Sequence, residues 1–273
     1  MFYFIINGEN FVTKYMYNNK KIGVGIITCN RPEFLQDCLN GLSLCHKDID
    51  RLVIVNDGKK CDFKTDLRYK LIQHKQNKGV SKSKNDAFLD LLNNNCDYIF
   101  IIEDDCTIIH KDCLIQYCKA YEETGLHHLI FAPEGQHLLY QIKYKNYSIG
   151  LYKDTIAAFC FYTRECLINC GLMDEFYHNS TEHIDHTYRI IKMGYTFGWM
   201  MFPDLIDSEN YLDISNHVKY SSCNKNNDYK NNISIDFKYF NNKFKNNKID
   251  IIHDKQYINQ KLIDIFNRFQ LKK

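Results

Sequence analysis

Short apolar runs alternate with helix-like stretches along the first part of the chain. The run Ile22–Thr28 is followed by a stretch over Glu33–Leu44 whose apolar residues recur at a helical spacing, and then by the apolar run Arg51–Asn56. Short apolar runs of this kind are typical of buried strands. A strand, a helix and a second strand in this order predict a βαβ unit with parallel strands.

The same alternation continues as far as Thr124. The predicted elements are a strand over Tyr69–His74, a helix over Ser81–Leu92, a strand ending at Glu103 and a helix over Lys111–Thr124. Helical crossovers of this kind place helices on both faces of the sheet. The first half therefore predicts a Rossmann-like α/β fold.

The second half has a more mixed pattern. It predicts extended segments over His128–Ala132, Ala157–Tyr162 and Tyr195–Trp199, a hairpin over Tyr140–Tyr152, and helices over Arg164–Cys170 and Glu182–Met193. An Asn- and Lys-rich stretch at 224–247 predicts a loop or poorly ordered insertion, and an amphipathic helix is expected over Lys255–Phe269.

These patterns predict one main domain with small flanking pieces. The expected divisions are a leading segment (1–20), a main domain (21–222) with halves at 21–125 and 126–222, and a C-terminal extension (223–273). We expect a mixed but mainly parallel sheet flanked by helices.

The overall composition points to no special partner and favours a cytoplasmic protein. The 273 residues carry a formal charge of +2, which gives no sign of nucleic-acid binding. The 12 cysteines form no CxxC pairs, so reduced thiols in a cytoplasmic protein are expected. The apolar run at the amino terminus is too short for a signal peptide or a membrane span.

The strongest candidate for chemistry is the acidic triplet Glu103-Asp104-Asp105, which ends the apolar run from Tyr98. Adjacent carboxylates repel one another unless a cation neutralises them, and hard oxygen ligands suit Mg²⁺ or Mn²⁺. Open α/β sheets bind ligands at the carboxyl ends of their strands, which favours a metal site here. A solvated loop at a strand end is the alternative.

Three further positions belong to the same predicted sheet edge. Arg31 precedes a helix with proline in its first turn, Asp57 follows the second strand, and Gly79 leads into a helix start that contains Lys84. Helix starts bind anions, and a carboxylate can accept hydrogen bonds from a base or ribose. Taken one at a time, these positions also fit ordinary turns or solvated surface lysines. Together the positions predict a site for a nucleoside diphosphate.

The sequence resembles the family 2 inverting glycosyltransferases, which have the GT-A fold, from about Ile22 to Ser222. The motifs that carry the resemblance are Thr28-Cys-Asn-Arg-Pro-Glu-Phe-Leu, Val53-Ile-Val-Asn-Asp-Gly58, Asn77-Lys-Gly79 with Lys84-Asn85, Glu103-Asp-Asp105, Gly171-Leu-Met-Asp-Glu175, and Glu182-His-Ile-Asp185 with Arg189 and Gly194-Tyr195.

The resemblance implies transfer of a hexosyl or N-acetylhexosaminyl group from a nucleoside-diphosphate sugar, such as a UDP-sugar, to a hydroxyl acceptor in glycan or polysaccharide synthesis. It implies Mn²⁺ or Mg²⁺, held by the acidic motif known as DXD, with Asp105 and His217 as metal ligands. The nucleotide-sugar-binding residues that it implies are Thr28, Asn30, Arg31, Asp57, Lys84, Asn85 and Asp104.

The chain departs from the family pattern at the expected catalytic base. Members often carry Glu-Asp at the start of this helix, whereas His183 follows Glu182 here. An imidazole can act as a base at neutral pH, so either residue can be the base. Asp185 is a further candidate, although its spacing from Arg189 favours an ion pair on the helix.

Two other functions remain open at the level of sequence. The altered Glu-His element is compatible with a pseudoenzyme that binds nucleotide sugars or glycans without turnover. A nucleotidyltransferase would also combine an α/β sheet with acids and metal, but the residues between Thr28 and Glu33 lack its Gly-rich phosphate loop.

Overall fold

A computed structural model gives the structure of most of the chain. It describes residues 3–6, 9–12, 17–133, 136–153, 155–178, 181–198, 201–215, 227–246 and 254–270. The predicted metal ligand His217 and the end of the predicted extended segment, Trp199, lie outside the described residues.

A six-stranded sheet forms the centre of the protein. Its strands are β3 (Ile22–Thr28), β4 (Arg51–Asn56), β5 (Tyr69–Gln73), β6 (Tyr98–Glu103), β8 (His128–Ile130) and β11 (Phe159–Thr163). In the order β5-β4-β3-β6-β11-β8, the first four strands are parallel, and β11 runs antiparallel to both β6 and β8. The prediction of a mixed, mainly parallel sheet is confirmed.

Smaller sheets complete the strand inventory of the described residues. β1 (Tyr3–Ile6) pairs with β2 (Glu9–Val12), β7 (Thr107–Ile108) pairs with β13 (Leu212–Asp213), and β10 (Tyr147–Tyr152) lies between β9 (Leu138–Tyr144) and β12 (Phe202–Leu205). β9 and β10 form the predicted hairpin.

Helices cover both faces of the central sheet. The α-helices of the described residues are α1 (Pro32–Leu42), α2 (Val80–Asn93), α3 (Cys113–Thr124), α4 (Arg164–Cys170), α5 (Glu182–Lys192), α6 (Asn227–Lys243) and α7 (Lys255–Gln270). Apolar side chains of α1 and α3 share one buried cluster, and those of α2, α4 and α5 share another. None of the helices that the structure describes has the length and apolar content of a membrane span.

The alternation of residue sizes along β3 explains how closely α2 approaches the sheet. Ile22, Val24 and Ile26 are buried in the cluster with α1, while Gly23 and Gly25 lie under α2. A Cβ atom at Gly25 would lie 2.8 Å from the Cβ of Ala87, too close for two carbon atoms. The two glycines therefore let α2 lie directly on β3, which brings the start of α2 to the strand ends.

Two predictions about the second half are wrong. The stretch predicted as a loop at 224–247 contains α6, because apolar side chains at a helical spacing are buried in spite of the Asn-rich composition. Phe240 and Phe244 pack on Tyr188 of α5, with ring centroids 5.4 and 4.3 Å away. Residues 195–198, predicted to be extended, form no strand.

Candidate active site

The acidic triplet lies at the end of β6 and is tied to the end of β3. Thr28 Oγ1 donates to Asp104 Oδ2 at 2.6 Å. The Arg31 guanidinium donates to Asp105 Oδ2 at 2.9 Å and also pairs with Asp104 Oδ1. Four of the predicted site residues are thus brought into direct contact at one edge of the sheet.

The charges in this cluster are strongly coupled. Burial raises the pKa of Asp104 to about 7, against the opposing effects of Arg31 and the Thr28 hydroxyl. Burial also disfavours the charged form of Arg31, but Asp104 and Asp105 outweigh this effect and raise the pKa of the guanidinium. Further positive charge here would favour the ionised form of Asp104.

Two adjacent carboxylates at this edge are the candidate donors for a divalent metal. Asp104 and Asp105 supply carboxylate oxygens, but no group of three or more histidine, cysteine, aspartate or glutamate side chains within the described ranges is arranged to hold a metal ion. Mg²⁺ is commonly held by one or two carboxylates together with substrate phosphates. The acid pair therefore fits a metal that would take its remaining ligands from a bound diphosphate.

Asp57 lies at the end of β4 and organises the turn before α2. Its Oδ1 accepts from the backbone N–H of Lys78 at 2.7 Å, and its Oδ2 accepts from that of Gly79 at 2.8 Å. His74 Nδ1 lies 2.6 Å from Oδ1. A carboxylate has about four acceptor sites, so these three contacts leave room for about one further donor.

The turn itself depends on glycine and on the neighbouring strand end. Gly79 has a φ of +90°, and a Cβ atom there would lie 2.6 Å from the His178 carbonyl oxygen. At the adjacent strand end, Asn30 Oδ1 accepts from the Lys59 N–H at 2.8 Å, which joins the loops after β3 and β4. Asn30 thus supports the backbone of the site.

The two α2 residues predicted to bind the nucleotide sugar are themselves buried and have protein partners. Lys84 is fully buried, and its Nζ lies 2.7 Å from Glu103 Oε1 and 3.1 Å from Glu182 Oε1. The Asn85 amide donates to the Met173 carbonyl and accepts from the Met173 N–H, both at 2.9 Å. Both side chains join α2 to the second half of the chain.

The start of α5 distinguishes the two candidate bases. The Glu182 side chain is buried, whereas that of His183 is 17% exposed, and His183 Nδ1 lies 3.6 Å from Glu182 Oε1. Burial disfavours ionisation of Glu182, but Lys84 and the adjacent His183 outweigh this effect and lower its pKa below the usual range. A strongly acidic, buried carboxylate is a poor proton acceptor.

Asp185, the third candidate, is buried in an ionic network. Its Oδ1 accepts from Arg189 Nε at 2.9 Å, as the helical spacing predicted, and its Oδ2 accepts from Lys243 Nζ at 2.7 Å. The Tyr177 hydroxyl lies 3.3 Å from the same Oδ2. These contacts anchor α5 to α6 and favour a supporting role.

Two features of the site were missed at the level of sequence. His74 lies between Asp57 and Asp86, with its Nε2 2.9 Å from Asp86 Oδ2. Lys243 reaches both Asp185 and Asp174, at 2.7 and 2.6 Å. A histidine directly after an apolar strand was a signal for the first contact, but no local pattern indicated the second.

Comparisons with known proteins agree with this architecture. Residues 23–136 match the family described as Glycosyl transferase family 2. An uncharacterized glycosyltransferase of Acanthamoeba polyphaga mimivirus is 25% identical over 225 residues, which are 74% of this chain and 84% of that protein.

Solved structures resemble the fold at low sequence identity. Residues 1–349 of TarS from S. aureus, crystallised with UDP-GlcNAc, give a TM-score of 0.50 at 16% identity, covering 91% of this chain and 72% of that one. A longer TarS chain is covered to only 33% of its length. A mannosyltransferase from Pyrobaculum calidifontis, in complex with GDP-Man and Mn²⁺, gives a TM-score of 0.48 at 12% identity, covering 64% and 53% of the two chains.

The fold and the strand-end site define a GT-A protein of the α/β class. Residues 23–136 match glycosyl transferase family 2, and this match together with the mimivirus relative supports a glycosyltransferase. The resemblance that the sequence motifs suggested is confirmed.

Proposed function

We propose that the protein is a metal-dependent, inverting glycosyltransferase. It transfers a hexosyl or N-acetylhexosaminyl group from a UDP-sugar to a hydroxyl acceptor in glycan or polysaccharide synthesis. The observation that carries this proposal is the Asp104–Asp105 pair at the end of β6, held by Thr28 and Arg31 of the adjacent strand end. This arrangement supports a site for a diphosphate and a cation at the sheet edge.

Each donor-side residue has a role in this proposal. Asp104 and Asp105 would hold Mn²⁺ or Mg²⁺, and a bound metal would stabilise the negative charge on the leaving diphosphate. Arg31 lies against both carboxylates and would supply a second positive charge to the phosphates. Asp57 would use its remaining acceptor site for an N–H group of the nucleobase.

The acceptor side depends on the start of α5. The acceptor hydroxyl oxygen would attack the anomeric carbon while the bond from that carbon to the diphosphate breaks. The hydroxyl proton would pass to Nε2 of His183, whose Nδ1 lies 3.6 Å from Glu182 Oε1. Glu182 would stabilise the resulting imidazolium by its negative charge.

Donor binding can be tested by thermal denaturation with a panel of nucleotide sugars. UDP-GlcNAc is the first candidate, because a TarS structure of the same fold was solved with it. A donor at 100 times its Kd should stabilise the fold by about 2.7 kcal/mol and raise Tm, with a larger effect in Mn²⁺ than in EDTA. Failure of every UDP-sugar to raise Tm would contradict the proposed donor.

A binding pseudoenzyme is the second candidate, because His183 replaces the acid of the family pattern. A pseudoenzyme would show the same rise in Tm as the active enzyme and would differ from it only in the absence of turnover. Donor binding without transfer to any member of a broad acceptor panel, and without release of UDP, would support it.

A further inference from the structure

Lys84 is a fully buried cation that connects distant parts of the chain. Its Nζ contacts Glu103 at the end of β6 and Glu182 at the start of α5, at 2.7 and 3.1 Å. Glu103 directly precedes the acid pair, and Glu182 directly precedes His183. One ammonium group therefore joins the donor side of the site to the helix that carries the candidate base.

The location of Lys84 argues against direct contact with the diphosphate. Its exposed fraction is 0%, and both of its partners are carboxylates. To reach a phosphate, the ammonium would have to leave the buried carboxylate of Glu182 as well as that of Glu103, whose side chain is 22% exposed. Unpaired buried charges are strongly destabilising, so the ion triad should stay intact when the donor binds.

Glu182 is held from two sides by this arrangement. The same oxygen, Oε1, lies 3.1 Å from Lys84 Nζ and 3.6 Å from His183 Nδ1. A carboxylate fixed by a buried cation keeps both its charge and its position, and at 3.6 Å its negative charge favours a proton on the imidazole nitrogen that faces it, His183 Nδ1. The orientation of His183 is therefore coupled to Lys84 through Glu182.

We propose that Lys84 is a positioning residue that acts on sugar transfer through Glu182, by holding that carboxylate against His183 Nδ1. This inference rests on the proposed function. In the transfer step, His183 Nε2 takes the acceptor proton as the new C–O bond forms and the nucleoside diphosphate departs. Lys84 exchanges no proton and contacts neither substrate.

A double-mutant cycle between Lys84→Met and Glu182→Gln tests this coupling. Lys84→Met should lower kcat by about 100-fold, since a small misplacement of a catalytic group has an effect of this size. In the Glu182→Gln background, Lys84→Met should alter kcat by no more than about twofold, because the carboxylate through which Lys84 acts is already absent. Lys84→Arg, which keeps the charge, should recover part of the activity.

Binding of UDP in Mn²⁺, measured by calorimetry, separates this role from a phosphate contact. The Kd of Lys84→Met for UDP should stay within about threefold of the wild-type value, below the roughly tenfold change that 1.4 kcal/mol of lost contact produces. Lys20→Met is the control, because Lys20 is half-exposed and pairs with Asp97 at the opposite edge of the sheet. It should match the wild type in both measurements.

Several results would overturn the inference. They are a wild-type kcat in folded Lys84→Met, a large rise in the Kd for UDP, or equal losses in the two backgrounds. If Lys84→Met does not fold, the double variant Lys84→Met/Glu182→Gln takes its place, because it removes the cation together with one carboxylate. Its kcat is then compared with that of Glu182→Gln, and a further large loss of kcat overturns the inference. An inactive wild type would overturn the proposed function and this inference with it.

Discussion

Replacing Asp105 with asparagine should lower kcat for sugar transfer by about 10²–10³-fold, the usual effect of losing one group that stabilises charge in the transition state. The change keeps the shape of the side chain but removes the negative charge that pairs with Arg31 and would hold the metal. Donor binding in Mn²⁺ should weaken as well, towards the affinity that is measured in EDTA.

The measurements are kcat for UDP release and the Kd for the donor with and without Mn²⁺. Asp112→Asn is a matched control, because the Asp112 side chain is half-exposed at the start of α3 and pairs with the exposed His110. It should behave as the wild type does. An Asp105→Asn variant with full activity and unchanged metal dependence would refute the assignment of Asp105.

Replacing His183 with alanine should lower kcat by about 10²–10⁴-fold, the range that general-base catalysis contributes. The Kd for the donor should change little, because the proposed role of His183 is on the acceptor side. Glu182→Gln should have a smaller effect, since it removes the charge that orients the imidazole but leaves the imidazole itself in place. This order of effects distinguishes the two candidate bases.

Steady-state kinetics and circular dichroism of both variants, with exposed His46→Ala as control, test this prediction. The opposite order, with Glu182→Gln inactive and His183→Ala close to the wild type, would make Glu182 the base. That outcome would require a buried carboxylate with a lowered pKa to accept the proton.

The sequence predicted which residues meet at the carboxyl ends of the parallel strands, because local patterns determine where those strands end; the binding roles of these residues stay predictions. The apolar runs that form β3, β4 and β6 end at Thr28, Asn56 and Glu103, so the polar residues after them had to meet at one edge. The direct contacts of Arg31 with Asp104 and Asp105 follow from that topology.

Contacts between residues distant in the chain were not predictable in the same way. The lysines at the start of α2 suggested phosphate binding, yet Lys84 pairs with Glu182, which lies 98 positions away in the chain. The helix α6 was hidden by its Asn- and Lys-rich composition, and its Lys243 reaches Asp185 across 58 positions. Such pairings depend on how the helices pack on the sheet, which no local pattern specifies.

The most direct test of the central claim is a measurement of UDP release and product stereochemistry by NMR, with UDP-GlcNAc and related UDP-sugars. We predict UDP release that requires Mn²⁺ or Mg²⁺ and stops in EDTA, with the transferred sugar inverted from the α-linked donor to a β-configured product. Retention of the α configuration, or binding of UDP with no release of UDP from any donor, would contradict the account.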